Sequence, residues 1–290
     1  MPTQIARVGS NLPNGNFIPE IWTKKLQSKF YAQTVLDMVT NHNYEGEIKG
    51  GGSKVYIRVR PTITVSDYVE NSVLTYQDLA DDKVELLIDK AKSFSFKIGD
   101  IDKYQSNINI INEATIDSAE QMKIHIEKTM FGSVYVDAGI QAVNTQINKA
   151  TVLDWIVDQG VALTEQNVPT EGRFFIIPPW IGGMIQKSDL KDASISGDSQ
   201  SLLRAKNGYL GDIAGFKLYV SNNLTGTGAT SGVPTHCLAG TKHAITFASQ
   251  FTNVGTVQLQ ERFGTAVRGL NVYGFKVEQP IALVDAEAYK

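Results

Sequence analysis

Cysteine and histidine are scarce in this sequence. Its 290 residues include one cysteine, Cys237, and four histidines. A disulfide within the chain is therefore impossible, and a cysteine-rich zinc site is excluded. We expect Cys237 to be a small buried side chain. The alternative, a nucleophile paired with His236 or His243, is disfavoured for His236 because neighbouring residues of a strand point to opposite faces.

An excess of basic charge is also missing. Lysine and arginine total 27, aspartate and glutamate total 30, and the net charge is −3. A protein that wraps nucleic acid as its main task usually has a basic excess, because its cations replace the counterions of the phosphates. The composition therefore argues against a dedicated DNA-binding module and leaves room only for weak contact with DNA.

Long apolar runs are absent as well. No segment approaches the roughly 18 continuous apolar residues that a membrane-spanning helix needs. The first residues, MPTQIARVGSNLPNGNFIP, also lack the apolar core of a signal peptide. We therefore expect no membrane partner. With 42% hydrophobic residues, the chain can still form one large domain or two smaller ones.

A glycine-rich stretch, GEIKGGGSKVYIRVRPTITVSDY, suggests at first a phosphate-binding loop. Such a loop must open onto a helix, whose free amides hold the phosphate. Apolar residues instead alternate at period two after the glycines, as in a strand. A second alternating segment, KVELLIDKAKSFSFKI, begins at Lys83. We predict that the two segments pair as a long protruding hairpin over 46–98, and that a neighbouring subunit helps to hold it.

The predicted tip of this hairpin is acidic, with five carboxylates and no lysine or arginine between positions 67 and 82. One interpretation is a solvated acidic loop. The other is a tip that docks on a basic patch of a neighbouring subunit. The candidate contact residues are the tip carboxylates and four arginines of the predicted strands: Asp67, Glu70, Asp78, Asp81, Asp82, Arg58, Arg60, Arg262 and Arg268.

Helices and strands alternate in the remainder of the chain. Apolar residues recur every three or four positions in 106–136, which predicts one helix of more than 20 residues. From residue 151 we predict a helix in TVLDWIVDQGVAL and single strands in RFFIIPPW and DIAGFKLYVSNNL. A further strand is predicted at 236–241, and HAITFASQF is predicted to be a short helix. Strands are predicted again in VQLQERFG and VRGLNVYGFKVEQPIALVD. Residues 151–250 therefore look like an insert between two halves of one platform of sheet and helix.

Catalytic motifs are missing: the sequence has no HExxH, no GxSxG and no complete P-loop. Asp100 and Asp102 form a close carboxylate pair, which could hold a metal but more often ends a strand and caps the next helix. His125 lies in the predicted long helix, where Thr129 occupies the position of a second metal ligand. We therefore expect no enzyme, metal or cofactor, and an enzyme using Asp100 and Asp102 is the remote alternative.

The order of these elements resembles the major capsid proteins of tailed bacteriophages, which share the Hong Kong ninety-seven-type fold. Three segments resemble sequence segments of that family: RFFIIPPWIGGMI, YLGDIAGFKLYVSNNL and ERFGTAVRGLNVYGFKVEQPIALV. The resemblance in element order covers nearly the whole chain. It implies an α+β fold with a spine helix on a peripheral sheet. The implied parts are an N-terminal arm and short helix at 1–45, an extended hairpin at 46–98, a peripheral domain at 99–150 and 251–290, and an inserted axial domain at 151–250.

The resemblance implies a structural subunit that assembles as pentamers and hexamers into an icosahedral shell around double-stranded DNA. The shell would be the virion capsid, assembled in the host cytoplasm. Implied partners are the chain itself, a portal, a possible decoration protein and the packaged DNA through weak contact. A separate scaffolding protein is also expected, because the hairpin begins near residue 46 without the long leading segment of some family members. The nearest alternative is an encapsulin-like bacterial nanocompartment shell, which would package enzymes.

Overall fold

The computed structural model describes residues 31–44, 54–59, 83–99, 110–188, 209–259 and 263–290, with isolated positions between 61 and 78. The predicted N-terminal arm and the pair Asp100 and Asp102 lie outside these residues. Within them, the chain forms the mixed helix-and-sheet fold that the sequence predicts. Among the described helices, none combines the length and the apolarity that a membrane crossing would need.

The longest helix confirms the prediction made for 106–136. The described helices are α1 (Leu36–Val39), α2 (Ile110–Val134), α3 (Val152–Glu165) and α4 (Pro179–Lys187). Met122, Ile126 and Met130 form the buried stripe of α2, as their spacing indicates. Helix α4 begins with Pro179, whose missing N–H is one that a first turn leaves unpaired in any case.

The described strands form three sheets. They are β1 (Lys54–Arg58), β2 (Lys83–Leu87), β3 (Lys90–Gly99), β4 (Ile140–Gln146), β5 (Arg173–Ile177), β6 (Tyr209–Ile213), β7 (Phe216–Val220), β8 (Thr235–Thr241), β9 (Ile245–Gln258), β10 (Gly264–Val277) and β11 (Leu283–Tyr289). The sheets have the orders β1-β2, β3-β10-β9 and β4-β11-β8-β5-β7-β6.

The centre of the six-stranded sheet is the main core of the molecule. All five residues of β5 are buried, as in a strand covered on both faces. Phe175 of this strand contacts the rings of Trp155 on α3 and Phe216 on β7, at centroid distances of 5.1 and 5.5 Å. The segment DIAGFKLYVSNNL, predicted as one strand, is instead a hairpin. Ala214 and Gly215 both have positive φ, 53° and 82°, and so form its two-residue turn.

Two strands of this sheet come from outside residues 151–250. Strand β11 pairs with β4 on one side and with β8 on the other. Grouping by strand pairing therefore places 140–146 and 283–289 with the predicted axial domain, whereas the sequence analysis assigned them to the peripheral domain. The division into domains stays a prediction.

The three-stranded sheet is built on two strands of 14 residues each, β9 and β10. At ~3.3 Å per residue each strand extends for about 46 Å. The prediction of a short helix in HAITFASQF was wrong, because only Lys242–Ala244 forms a 3-10 turn and β9 begins at Ile245. Ile245, Thr246 and Phe247 favour extended backbone, and all three are buried along the pairing with β10.

The predicted hairpin is confirmed in its stem and wrong in its extent. Strands β1 and β2 pair antiparallel from Lys54 opposite Leu87 to Arg58 opposite Lys83. Strand β3 does not continue this pairing, because its ten residues pair with β10 instead. The described residues between Val59 and Val65 are not in a strand. Pro61 lies among them, and it cannot donate a hydrogen bond to a neighbouring strand.

The stem crosses β10 at Gly274. A Cβ atom on Gly274 would lie 2.0 Å from the carbonyl oxygen of Leu87 and 3.0 Å from the Cα of Ile88. The two backbones can therefore touch only because this position has no side chain. A small core of buried residues forms around the crossing: Val55, Ile57, Leu86, Ile88 and Ala248.

Gly274→Ala is expected to push the stem away from β10. The obstructing atoms belong to the backbone of β2 and cannot rotate aside, so we expect a loss of about 1–3 kcal/mol in the free energy of unfolding. Denaturant unfolding of the purified protein measures this loss. Gly183→Ala is the matched control, because its Cβ would meet nothing within 4 Å and alanine favours helix α4. Equal midpoints for Gly274→Ala and the parent chain would contradict the crossing.

Candidate assembly surface

The stem presents a basic outer end. Arg58 and Lys83 lie opposite each other in the last pair of the stem, and both are exposed. Lys83 Nζ lies 4.6 Å from the ring centroid of Tyr56. Among the described residues Arg58 makes no ion pair, whereas Lys54 pairs with Glu85. Like charges directly opposite repel, so this end of the stem suits an acidic partner.

The tip beyond the stem is both acidic and apolar. Asp67, Glu70 and Asp78 are exposed, as the sequence predicts, while Asp81, Asp82 and Arg60 lie outside the described residues. Large apolar side chains are exposed beside the carboxylates: Ile63, Val65, Val73 and Tyr76. Val73 is 95% exposed and Tyr76 is 88% exposed. We call these four side chains the apolar tip. Exposed apolar side chains grouped on one segment are typical of a contact surface.

The candidate arginines do not converge within one chain. Arg268 is exposed on β10, between Ser95 of β3 and Gly255 of β9. Arg58 belongs to the separate two-stranded sheet, and Arg262 lies outside the part of the chain that the structure describes. The structure thus offers two separate cationic positions. Their role in contacts between subunits stays a prediction.

A buried carboxylate on α2 anchors the chain that leads into α1. Glu127 is 0% exposed. Its Oε2 accepts hydrogen bonds from the backbone N–H groups of Val35 at 2.7 Å and Leu36 at 3.1 Å. Its Oε1 accepts from Ser221 Oγ at 2.9 Å and from Asn223 Nδ2 at 3.0 Å. One carboxylate therefore joins the segment before α1, helix α2 and the residues that follow β7.

Opposing effects act on the pKa of Glu127. Burial raises this pKa above its usual value because the ionised form loses its hydration, and the four hydrogen bonds oppose the rise. No sequence motif marks Glu127 as a structural anchor. Its place in the helical pattern does indicate burial. Glu127 follows Ile124 by three residues and precedes Phe131 by four, and both of those side chains are buried. A carboxylate on the buried face of a helix requires donors from elsewhere in the chain.

Glu127→Ala should destabilise the protein strongly. The variant leaves two backbone N–H groups and the hydroxyl of Ser221 buried without an acceptor, while Asn223 keeps its hydrogen bond to the carbonyl oxygen of Gln33. Each unsatisfied group costs about 1–3 kcal/mol. We expect a loss of at least about 3 kcal/mol in denaturant unfolding. The control is Glu120→Ala on the same helix, which removes only the surface pair with Lys123 and should cost less than about 1 kcal/mol. Similar losses for the two variants would contradict the anchor.

Cys237 has the buried position that the sequence predicts. It is 0% exposed, and burial raises the pKa of its thiol well above the ordinary value. His236 is the neighbouring residue on β8 and so points to the opposite face. His243 and His125 are exposed, in a turn and on α2 respectively. None of these histidines is placed to activate the thiol.

The Cys237 thiol should therefore resist labelling in the folded protein. The thiolate is the reactive form, and neither the thiolate nor access for a reagent is available at this site. We expect a coloured disulfide reagent to react negligibly with the native protein at neutral pH and with one thiol per chain after denaturation. Rapid stoichiometric labelling of the native protein would contradict the burial.

Comparison with known proteins gives matches among solved structures only. No family model matches the sequence, and no curated protein matches it. A solved structure of Mycobacterium phage Che8 is 30% identical, with a TM-score of 0.79 over 95% of this chain and 98% of that chain. The capsid structure of the cyanophage P-SCSP1u is 12% identical, with a TM-score of 0.70 over 94% and 93%. The capsid of Myoviridae phage XM1 is 14% identical, with a TM-score of 0.65 over 95% and 100%.

Proposed function

Because the chain belongs to the major capsid proteins of tailed bacteriophages, we propose that its copies assemble as pentamers and hexamers into an icosahedral shell around double-stranded DNA. The observation that carries this proposal is the similarity to the Mycobacterium phage Che8 structure, which extends over nearly the full length of both chains. The protein is a structural subunit of a capsid shell. The proposal assigns no catalytic step to it.

The hairpin stem and its apolar tip support assembly through contacts between neighbouring subunits. The stem is fixed to the body by the crossing at Gly274 and by the small core around it, whereas the apolar tip has no cover within the described chain. Removing apolar surface from water contributes about 25 cal/mol per Å², and the costs of association are subtracted from that gain. We infer that the tip is covered by a neighbouring copy of this chain, and that many such contacts add up across the shell.

Charge complements this apolar contact in the proposal. The tip carboxylates Asp67, Glu70 and Asp78 would lie near cationic positions of the next subunit, for which Arg58 and Arg268 are the described candidates. Surface ion pairs of this kind contribute little individually, so their proposed role is to orient the contact. A scaffolding protein, a portal, a possible decoration protein and assembly in the host cytoplasm complete the proposal.

Negative-stain electron microscopy combined with size-exclusion chromatography tests the shell directly. We expect the purified protein to give closed icosahedral particles or rings of five and six copies, alone or with a co-expressed scaffolding protein. Nuclease-sensitive DNA inside particles isolated from infected cells supports the phage function, whereas packaged enzymes would support the nanocompartment alternative. A monomer that assembles under none of these conditions would contradict the proposal.

Removing the apolar tip should weaken assembly without unfolding the subunit. We expect Val73→Ser combined with Tyr76→Ser to raise the protein concentration needed for assembly about tenfold or more, since 1.4 kcal/mol per contact corresponds to a factor of ten. Light scattering measures assembly. Thermal unfolding of the unassembled subunit should be unchanged, because both side chains are exposed there.

Charge reversal separates the electrostatic contribution from the apolar one. We expect a triple variant to impair assembly as well: Asp67→Lys, Glu70→Lys and Asp78→Lys. This effect should weaken at high salt, because salt screens exposed charges. The effect of the apolar variant should persist at high salt. Normal assembly of both variants would rule out docking through the tip.

A further inference from the structure

Three potential metal-ligating side chains converge on one face of the six-stranded sheet. His236 of β8 lies directly opposite Glu287 of β11, and Asp285 is two residues before Glu287 on the same face. His236 Nδ1 is 2.8 Å from Asp285 Oδ2 and 3.8 Å from Glu287 Oε1. One ligand atom from each residue lies within 4.8 Å of the other two.

Asp285 indicates that this arrangement is incomplete. Its side chain is 1% exposed, and its Oδ1 is buried without a hydrogen-bond partner. A buried carboxylate oxygen without a partner is costly and calls for an explanation. Gln141, opposite Asp285 on β4, does not supply one, because its amide donates to the backbone oxygens of Tyr135 and Ala138. No lysine or arginine pairs with Asp285 or Glu287 among the described residues.

We propose that His236, Asp285 and Glu287 bind a divalent transition metal ion, with Zn²⁺ as the preferred ion. Zn²⁺ bonds to histidine nitrogen and carboxylate oxygen at about 2.0–2.1 Å, which places tetrahedral ligand atoms roughly 3.3 Å apart. The separations of 2.8 and 3.8 Å lie on either side of this value. The third separation, between the oxygens of Asp285 and Glu287, is at most 4.8 Å. Side-chain shifts of up to about 1.5 Å would therefore convert the cluster into three legs of a tetrahedron.

The ligand types select the class of ion. Imidazole nitrogen favours Zn²⁺ and its transition-metal neighbours, whereas Mg²⁺ and Ca²⁺ prefer all-oxygen sites. The ring of Tyr135 stacks on His236 at a centroid distance of 3.9 Å, which fixes the plane of the imidazole. His236 and Glu287 are partly exposed, so water can supply a fourth ligand. The ion would balance the two carboxylates and link β8 with β11 beside the turn that follows α2.

This site departs from the sequence-based expectation that the chain binds no metal. Asp285 and Glu287 alternate along one strand, which the sequence can indicate, but the pairing of β11 with β8 is a long-range contact. His236 therefore joins the two carboxylates only in the folded chain.

Zinc binding can be tested on the whole protein, whether or not it has assembled. After dialysis against a chelator and removal of the chelator, isothermal titration with ZnCl₂ gives the stoichiometry, and thermal unfolding with and without Zn²⁺ gives the stabilisation. We expect one Zn²⁺ per chain and a higher unfolding temperature, because a ligand that binds only the folded state stabilises it. No binding, or stabilisation by Mg²⁺ or Ca²⁺ but not by Zn²⁺, would overturn the proposal.

Variants identify where the ion binds. We expect each of two variants, His236→Gln and Glu287→Gln, to weaken Zn²⁺ binding about tenfold or more. Because Glu287 is partly exposed, Glu287→Gln keeps the test valid if His236→Gln does not fold. The matched controls are His243→Gln and His125→Gln, which alter exposed histidines and should leave binding unchanged. Unaltered binding in Glu287→Gln, or its loss in either control, would show that the ion binds elsewhere.

Discussion

The hairpin stem formed by β1 and β2 can lie against β10 only because Gly274 has no side chain. The Cβ position of a strand residue points out of the plane of its sheet, and the carbonyl oxygen of Leu87 lies at the Cβ position of Gly274. The backbone of Leu87 passes over Gly274 at a distance that any Cβ atom would prevent. An isolated two-stranded hairpin is marginal in water. The crossing and its small core give this hairpin a fixed origin.

A second constraint joins the body to the chain that precedes α1. Glu127 lies on the long helix, but its hydrogen-bond donors come from the start of α1 and from the residues after β7. Helix, sheet and entering segment are thus tied through one buried carboxylate. Because the N–H groups of Val35 and Leu36 would lose their acceptor without it, hydrogen bonding as well as apolar packing specifies the position of the entering segment.

Neither the crossing at Gly274 nor the Glu127 carboxylate covers the tip or the outer end of the stem. The apolar tip has no cover among the described residues, and the basic end of the stem faces solvent. A subunit that acts alone gains nothing from such surfaces, whereas a shell subunit can bury them on its neighbours. The exposed tip and the exposed end of the stem are consistent with a structural role in a capsid.

The local elements of this protein are predictable from its sequence, because periodicity within a few residues needs no distant partner. The apolar stripe of α2, the buried run of β5 and the stem at β1 and β2 all follow from periodicity over a few residues. The acidic tip was also readable, although its exposed apolar side chains were overlooked. The single cysteine excludes a disulfide within the chain from composition alone.

The pairing of these elements, in contrast, depends on contacts between distant segments of the folded chain. Strand β3 continues the pattern of β2 in sequence, yet it pairs with β10, 165 to 183 residues away along the chain. The donors of Glu127 and the meeting of His236 with Asp285 likewise depend on contacts between distant segments. Periodicity shows which face of an element is buried. The choice among distant partners depends on the packing of the complete chain, which no local pattern contains.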